Sequence, residues 1–322
     1  MAEGLRGRMA LGVTLLVLAV LPQVAALLAR PDLVTLGTQV AIFAIAAISL
    51  DLLIGYAGLA SFGHAAFFGI GGYTVGILAF HASDGSDFLG SIPGVTEAWI
   101  VWPAAILLAA LAALAVGALS LRTSGVSFIM ITLAFAEMFF FLFVSLKTYG
   151  GDDGLSFRRR NAIPGIGARD DVAFFYVCLG LMVVFLALCM RLVRSRFGMV
   201  LQGIRQNPRR MAAMGLSAYP YQLAAFTIAG GGAGLAGALH ANLLRFVSTD
   251  MLHWTMSGDF MVMVALGGAG TLAGPILGAA VMVCLQSWLA QWTEHWMIVM
   301  GPVLVLVILF ARRGLWGVVA GR

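Results

Sequence analysis

Apolar residues run in long stretches along this chain, separated by short polar clusters. The stretches fall at 10–29, 33–54, 65–82, 98–121, 125–146, 172–193, 222–244, 257–270, 272–292 and 296–311. A bilayer core needs roughly 20 apolar residues per spanning helix, so the pattern predicts ten membrane segments. The stretch at 257–270 is short for a span and ends in glycine, which predicts a broken or re-entrant element. The expected fold is an all-α integral membrane protein. It is a polytopic bundle of about 8–10 transmembrane helices, with residues 1–322 forming one membrane domain. Arg6 and Arg8 precede the first run, as in a signal peptide. No clear small-residue cleavage site follows, so the run reads as a retained first helix.

Composition agrees with this pattern. Of 322 residues, 61% are hydrophobic and 10% charged, with a mean hydropathy of +0.99. Soluble domains are about 45–50% apolar and about 25% charged, so a soluble globular enzyme is excluded. Cys178, Cys189 and Cys284 all lie inside apolar runs. The first two are about 16 Å apart along a helix, too far for a disulfide, and all three read as small buried side chains.

The net charge of +5 is distributed by loop. If the N-terminus is cytoplasmic and all ten segments cross, one side carries Arg6, Arg8, Arg122, six arginines from Arg191 to Arg210, and Arg312, Arg313 and Arg322. Glu3 is the acid on that side, whereas the basic residues of the other side face an excess of acids. This is the asymmetry of the positive-inside rule, with both termini cytoplasmic, and it removes nucleic acid as the reason for the basic pI. The run Arg158–Arg160 is the exception on the outer side.

The segment 194–221 is the largest on the basic side. Its sequence, RSRFGMVLQGIRQNPRRMAAMGLSAYPY, contains no acid. Met199, Ile204, Met211 and Met214 are its apolar positions, with a break at Asn207-Pro208 and a stop at Gly215. Composition leaves two readings open: a basic helix on anionic lipid, or a coupling helix that docks into another subunit. Connections between membrane helices are ordinarily a few residues long, and the length here favours docking.

Two glycine-rich stretches, Gly55–Gly76 and Leu266–Ala279, interrupt apolar runs. Paired interruptions of this kind point to a substrate path, because unwound backbone is tolerated only where protein or water covers it. Close helix packing is the alternative reading. Gly72 and Gly76, Gly230 and Gly234, and Gly270, Gly274 and Gly278 are spaced four apart, as small-residue contacts require. Among polar residues in the membrane, Glu137 stands out in ITLAFAEMFFFLF with no basic partner on its own segment. Asp51 reads as reaching the inner interface, and Asp259 as capping a helix start beside Ser257. Ser61 and His64 are three apart without a third catalytic member, and a histidine bonded to backbone is the expectation. The five histidines lack ligand spacing, so no metal site is expected. No phosphate-binding GxxxxGK[ST] loop occurs, so the chain is expected to hold no nucleotide and no other cofactor.

The runs LDLLIGYAGLASFGHAAFFGIGGY (50–73), LRTSGVSFIMITLAFAE (121–137), GGDDGL (150–155), GIRQNPRRMAAMGLSAYPYQLAAFTIAGGGAGLAGAL (203–239), SGDFMVMVALGGAGTLAGP (257–275) and LFARRGLWG (309–317) resemble the LivM-type permeases of branched-chain amino acid ABC importers. The resemblance extends over nearly the whole chain in the right order. It implies a permease subunit in the bacterial inner membrane, paired with a homologous LivH-type permease. Two cytoplasmic ATPase subunits would bind ATP and Mg, and a periplasmic binding protein would deliver a hydrophobic amino acid. The family's ATPase-coupling contacts map onto Arg205, Gln206, Asn207, Pro208, Met214 and Gly215. The chain departs from the family at Gln206, Pro208 and Arg209, where acids are frequent, and at Asp51, where asparagine is usual, and at Ala60, where glutamine or leucine is frequent.

The mechanism implied is alternating access, with helices rocking around a path. Candidate path residues are Ser61, His64, Phe67, Phe68, Tyr73, Glu137 and Thr271. Permeases for urea, short amides or aromatic carboxylates in the same superfamily are the nearest alternatives. A stand-alone secondary transporter would need further buried titratable groups beside Glu137, and an intramembrane enzyme would need a catalytic set that the sequence lacks.

Overall fold

The segment Val40–Leu50, built of alanine, isoleucine and other compact side chains, is sealed from the surroundings along its whole length. It belongs to helix α2 (Asp32–Asp51), which Pro31 and Asp32 open, the carboxylate favouring the positive end of the helix dipole. This is a computed structural model, and it describes residues 5–88, 92–163, 167, 170–292, 298, 301–302 and 314–319. The other long helices are α1 (Leu5–Leu27), α3 (His64–Asp84), α4 (Ala98–Ser120), α5 (Val126–Ser145), α6 (Asp171–Arg194) and α9 (Ala218–Leu244). These seven are long and apolar enough to cross a membrane. Two short helices, α7 (Arg196–Gln206) and α8 (Pro208–Ala213), precede α9. After it come α10 (Trp254–Gly267), α11 (Gly274–Ala290) and the short α12 (Gly314–Val319). The chain is an all-α polytopic membrane protein.

Small residues let the central helices approach closely. A Cβ on Gly71 of α3 would fall on the carbonyl oxygen of Gly234 in α9, and one on Gly237 would fall on the carbonyl of Phe68. On its other side α9 meets α4, with Gly230 on Ala113 and Gly234 on Ala109. Tight backbone contact of this kind replaces the hydrophobic driving force that lipid removes. Phe67 beside Gly230, Gly72 beside Gly237 and Gly76 beside Val247 make α3 parallel to α9, whereas Ala113 on Gly230 and Ala109 on Gly234 make α4 antiparallel to it. Among the described residues, the arginine-bearing C-terminal ends of α4 and α6 lie with α7 and α8 at one end of the bundle.

The opposite end is closed by the 146–163 connection. Strand β3 (Leu155–Ser156) pairs antiparallel with β4 (Phe246–Val247); at the same end β1 (Asp87–Phe88) pairs with β2 (Ile92–Pro93). Asn161 and Asn242 exchange hydrogen bonds, the Asn242 amide donating at 2.8 Å and the Asn161 backbone N–H at 2.7 Å. Arg160 is buried, donates to the Asn242 carbonyl at 3.0 Å, pairs with Asp171 at 2.6 Å and lies over the Phe174 ring. One member of the Arg158–Arg160 run is thus a structural ion pair. That explains a basic residue at the otherwise acidic end.

Among the described residues seven helices are long enough to span, while α10 and α11 are short helices joined by a glycine turn. The tenth stretch, 296–311, lies almost wholly outside the described residues, as do Arg312, Arg313 and Arg322. Two expectations change. Asp259 is not a cap: α10 begins earlier, at Trp254, where the His253 side chain takes that position. Gly270 is in the turn with φ of 80°, not on a helix face with Gly274 and Gly278. The glycine packing has a direct test. We expect Gly237→Val to destabilise the detergent-solubilised protein by about 3 kcal/mol through overpacking. Gly180→Leu, at an open site on α6, should change stability by less than about 0.5 kcal/mol. Equal thermal unfolding of the two variants would contradict the packing described.

Candidate functional site

Both glycine-rich interruptions meet at the arginine-rich end. Helix α2 does not stop at Asp51 but widens into a π-type turn over Leu52–Ala57, ended by Gly58 at φ 71°. Single turns of this type are a common device at functional sites. Facing it is the α10–α11 turn, with positive φ at Gly268, Gly270 and Leu272. Successive N–H groups in such a turn form a concavity that favours an anion. The fully buried Asp51 carboxylate occupies it: Oδ1 accepts from the Gly270 N–H at 2.6 Å and Oδ2 from the Leu272 N–H at 2.9 Å. Leu272, a branched residue at φ 55°, holds a conformation that ordinarily costs of order 1–3 kcal/mol. The bond to Asp51 offsets it.

Close backbone contact tightens the junction. A Cβ on Gly55 would lie 2.5 Å from the Cα and N of Gly270. Tyr56 donates from its hydroxyl to the Gly270 carbonyl at 2.9 Å. Thr271 donates to the Gly268 carbonyl at 2.7 Å and accepts from the Gly274 N–H at 3.0 Å, closing the turn. Gly314 at the start of α12 sits on the Gly268 backbone, and Trp316 behind it is buried.

The α7–α8 segment completes the site. Leu201, Ile204 and Met211 face inward. Asn207 breaks the helix and caps α8, accepting from the Arg210 N–H at 3.0 Å, with Pro208 in the first turn. Gly215 follows at φ 82°. Gln206, Asn207, Pro208, Arg209, Arg210, Met214 and Gly215 are exposed. Arg205 is exposed as well, yet its stem crosses Gly58 and its Nη1 donates to the Gly55 carbonyl.

The candidate path residues are divided. Ser61 is buried and accepts from the Gly63 N–H at 3.2 Å. His64 is buried and bonded to the Ser49 hydroxyl at 2.8 Å, a side-chain partner rather than the backbone. Phe67 packs edge-on to Phe226, and Phe68 packs against His240 and Phe260; both are sealed in the helix core. Tyr73 is tilted against Phe143 of α5 at 4.3 Å between centroids. Among the described residues, its hydroxyl and Glu137 Oε1 have no hydrogen-bond partner. Thr271 alone of the seven belongs to the junction. Among the described residues no group of three or more His, Cys, Asp or Glu is placed to hold a metal.

Asp51 as a junction residue escaped the reading of the sequence, as did Tyr56 and Trp316. A carboxylate inside a long apolar run was the available signal. If Asp51 holds the turn, Asp51→Ala should lower stability by about 3 kcal/mol, the upper range for hydrogen bonds to a charged group. Asp51→Asn, which keeps one acceptor, should lose less. Unchanged thermal unfolding in both variants would contradict the assignment.

Comparison with known proteins gives the family. The family described as "Branched-chain amino acid transport system / permease component" matches residues 33–308. The chain is 28% identical over 306 residues to the high-affinity branched-chain amino acid transport system permease protein LivM of Escherichia coli (strain K12), covering 88% of this chain and 69% of that one. The LivM protein of Salmonella typhimurium is equally similar over the same extent. A shorter match, 30% identity over 148 residues, 41% of this chain and 42% of the other, is to the autoinducer 2 import system permease protein LsrC of Photorhabdus laumondii subsp. laumondii. No solved structure matches the chain. An all-α bundle of apolar spans, the two glycine interruptions and a family match over most of its length establish that the chain belongs to the branched-chain amino acid transport permease family, as a LivM-type ABC permease.

Proposed function

We propose that the chain is the LivM-like half of a permease pair in a bacterial inner-membrane ABC importer that moves branched-chain or related hydrophobic amino acids. A LivH-type homologue forms the other half, two cytoplasmic ATPase subunits bind ATP and Mg, and a periplasmic binding protein delivers substrate. The arginine-rich end faces the cytoplasm, together with both termini, and the annular surface meets membrane lipid. The observation that carries this reading is the α7–α8 segment, residues 194–221. It presents Gln206, Asn207, Pro208, Arg209, Arg210 and Met214 outward, while its inner side is tied to the helix junction. An ATPase that engages the outer side has a mechanical route into the bundle.

The path lies on the α5 side. Helices α1 and α5 are the least enclosed, with 17% of the most apolar window of each buried against 89% for the α2 span. On α1 the exposed side chains are aliphatic, such as Val13, Leu16 and Val17, which suits lipid. Helix α5 carries Glu137 instead, and a carboxylate in the membrane requires a polar or protein environment. The second permease subunit supplies it, so that Glu137 and Tyr73 stand near the substrate route between subunits. Ser61 and Thr271 stand near its cytoplasmic end. His64, Phe67 and Phe68 stand behind this route, in the core that α3 shares with α9.

The partial similarity to a permease of autoinducer 2 import favours a wider substrate range as the second reading. Urea, short amides and aromatic carboxylates are the other candidates. The test is reconstitution with and without the ATPase subunits. ATP-dependent leucine uptake by the assembled complex is expected, and Arg209→Glu with Arg210→Glu should reduce ATPase co-purification by about tenfold, as loss of a charged docking contact does. Leucine uptake by the lone chain, driven by an ion gradient without ATP, would overturn the reading in favour of a secondary transporter.

A further inference from the structure

The sequence groups Arg205 with the outward residues of the α7–α8 segment, yet its guanidinium turns the other way. The π-type turn that ends α2 leaves a carbonyl to be satisfied. The Gly58 and Leu59 N–H groups both bond to the Leu53 carbonyl, so neither reaches Gly55. The Gly55 carbonyl, at the negative end of the helix dipole, is met by Arg205 Nη1, an arrangement that a cation favours. Glycine at position 58, at φ of 71°, leaves the Arg205 stem room for this approach. Arg205 Cγ lies 3.0 Å from where a Gly58 Cβ would stand. The guanidinium is also 3.8 Å from the Cβ position of Gly270, so it borders both glycine interruptions.

The connection is stiff at each step. Arg205 sits on α7, anchored by buried Leu201 and Ile204 and by Gly198 packed on the Val193 backbone. Gly55 touches the Gly270 backbone, and Asp51 holds the amides of Gly270 and Leu272. Displacement of α7 therefore pulls the end of α2 and the α10–α11 turn together. We propose that Arg205 is a positioning residue, a latch that transmits movement of the α7–α8 segment to both broken segments, rather than a contact to the ATPase. Lysine is a poor substitute, because its flexible stem and strongly hydrated ammonium lack the pre-organised guanidinium whose Nη1 meets the carbonyl.

This inference rests on the reading of the chain as an ATP-driven permease, and the experiment separates the two. The assembled transporter is reconstituted with Arg205→Met, which keeps the stem and removes the guanidinium. ATPase co-purification, ATP hydrolysis and leucine uptake are measured on the same preparation. The expected result is that the ATPase subunits still co-purify while leucine carried per ATP falls about tenfold, within the usual range of coupling strengths. Arg205→Lys should fall about threefold on the same ratio, by partial retention of that coupling. If Arg205→Met fails to accumulate, the ratio for Arg205→Lys decides. Loss of ATPase co-purification would make Arg205 a docking contact and overturn the latch. An unchanged ratio in the variants that assemble would overturn it equally. Absence of ATPase co-purification with the unaltered chain would instead refute the ATP-driven reading.

Discussion

A carboxylate inside an apolar bundle is stable only where donors surround it, and for Asp51 those donors are main-chain amides. The Gly270 and Leu272 N–H groups point to its two oxygens. In a bilayer the alternative for these amides is to remain unpaired, at a cost of several kcal/mol each. The α10–α11 turn therefore keeps its left-handed conformation because Asp51 is there, and Asp51 remains buried because the turn is there. Each makes the other tolerable.

Much else follows from this contact. The turn brings Gly270 against Gly55, and that approach excludes any side chain at position 55. The end of α2 then leaves its Gly55 carbonyl for Arg205, and the flank of the turn provides a flat seat for Gly314. Chain segments near residues 55, 205, 270 and 314 thus share one site, at the end of the bundle from which an importer would be driven. The core beyond it is built differently. There α3, α4 and α9 interlock through glycine and alanine, with little to permit rearrangement. A rigid centre with a hydrogen-bonded junction at one end suits a machine that converts a push on a surface helix into movement of a whole bundle.

The membrane character and most helix limits were legible in the sequence, because a 20-residue apolar run has one stable solution in lipid. The break at Asn207-Pro208 and the stop at Gly215 were legible for similar reasons: proline opens a helix and glycine takes positive φ. The role of Asp51 was not, since its partner amides lie more than 200 residues away in a turn whose shape the chain does not announce. Arg205 was misleading for another reason. An arginine among exposed arginines reads as surface charge, and its inward reach uses the room that Gly58 leaves. Asp259 invited a capping role because a helix start was placed beside Ser257. Ser257 instead ties α10 to the Phe62 carbonyl and the Ala65 N–H. Phe67 and Phe68 have no sequence signal separating a path-facing ring from a core ring.

Amide hydrogen exchange over residues 266–274, measured on the purified full chain in lipid nanodiscs, tests the junction most directly. The Gly270 and Leu272 amides lie outside any helix, yet the expected exchange is as slow as that of the neighbouring helical amides, because Asp51 engages both. Exchange at the rate of an open loop at these two positions would contradict it.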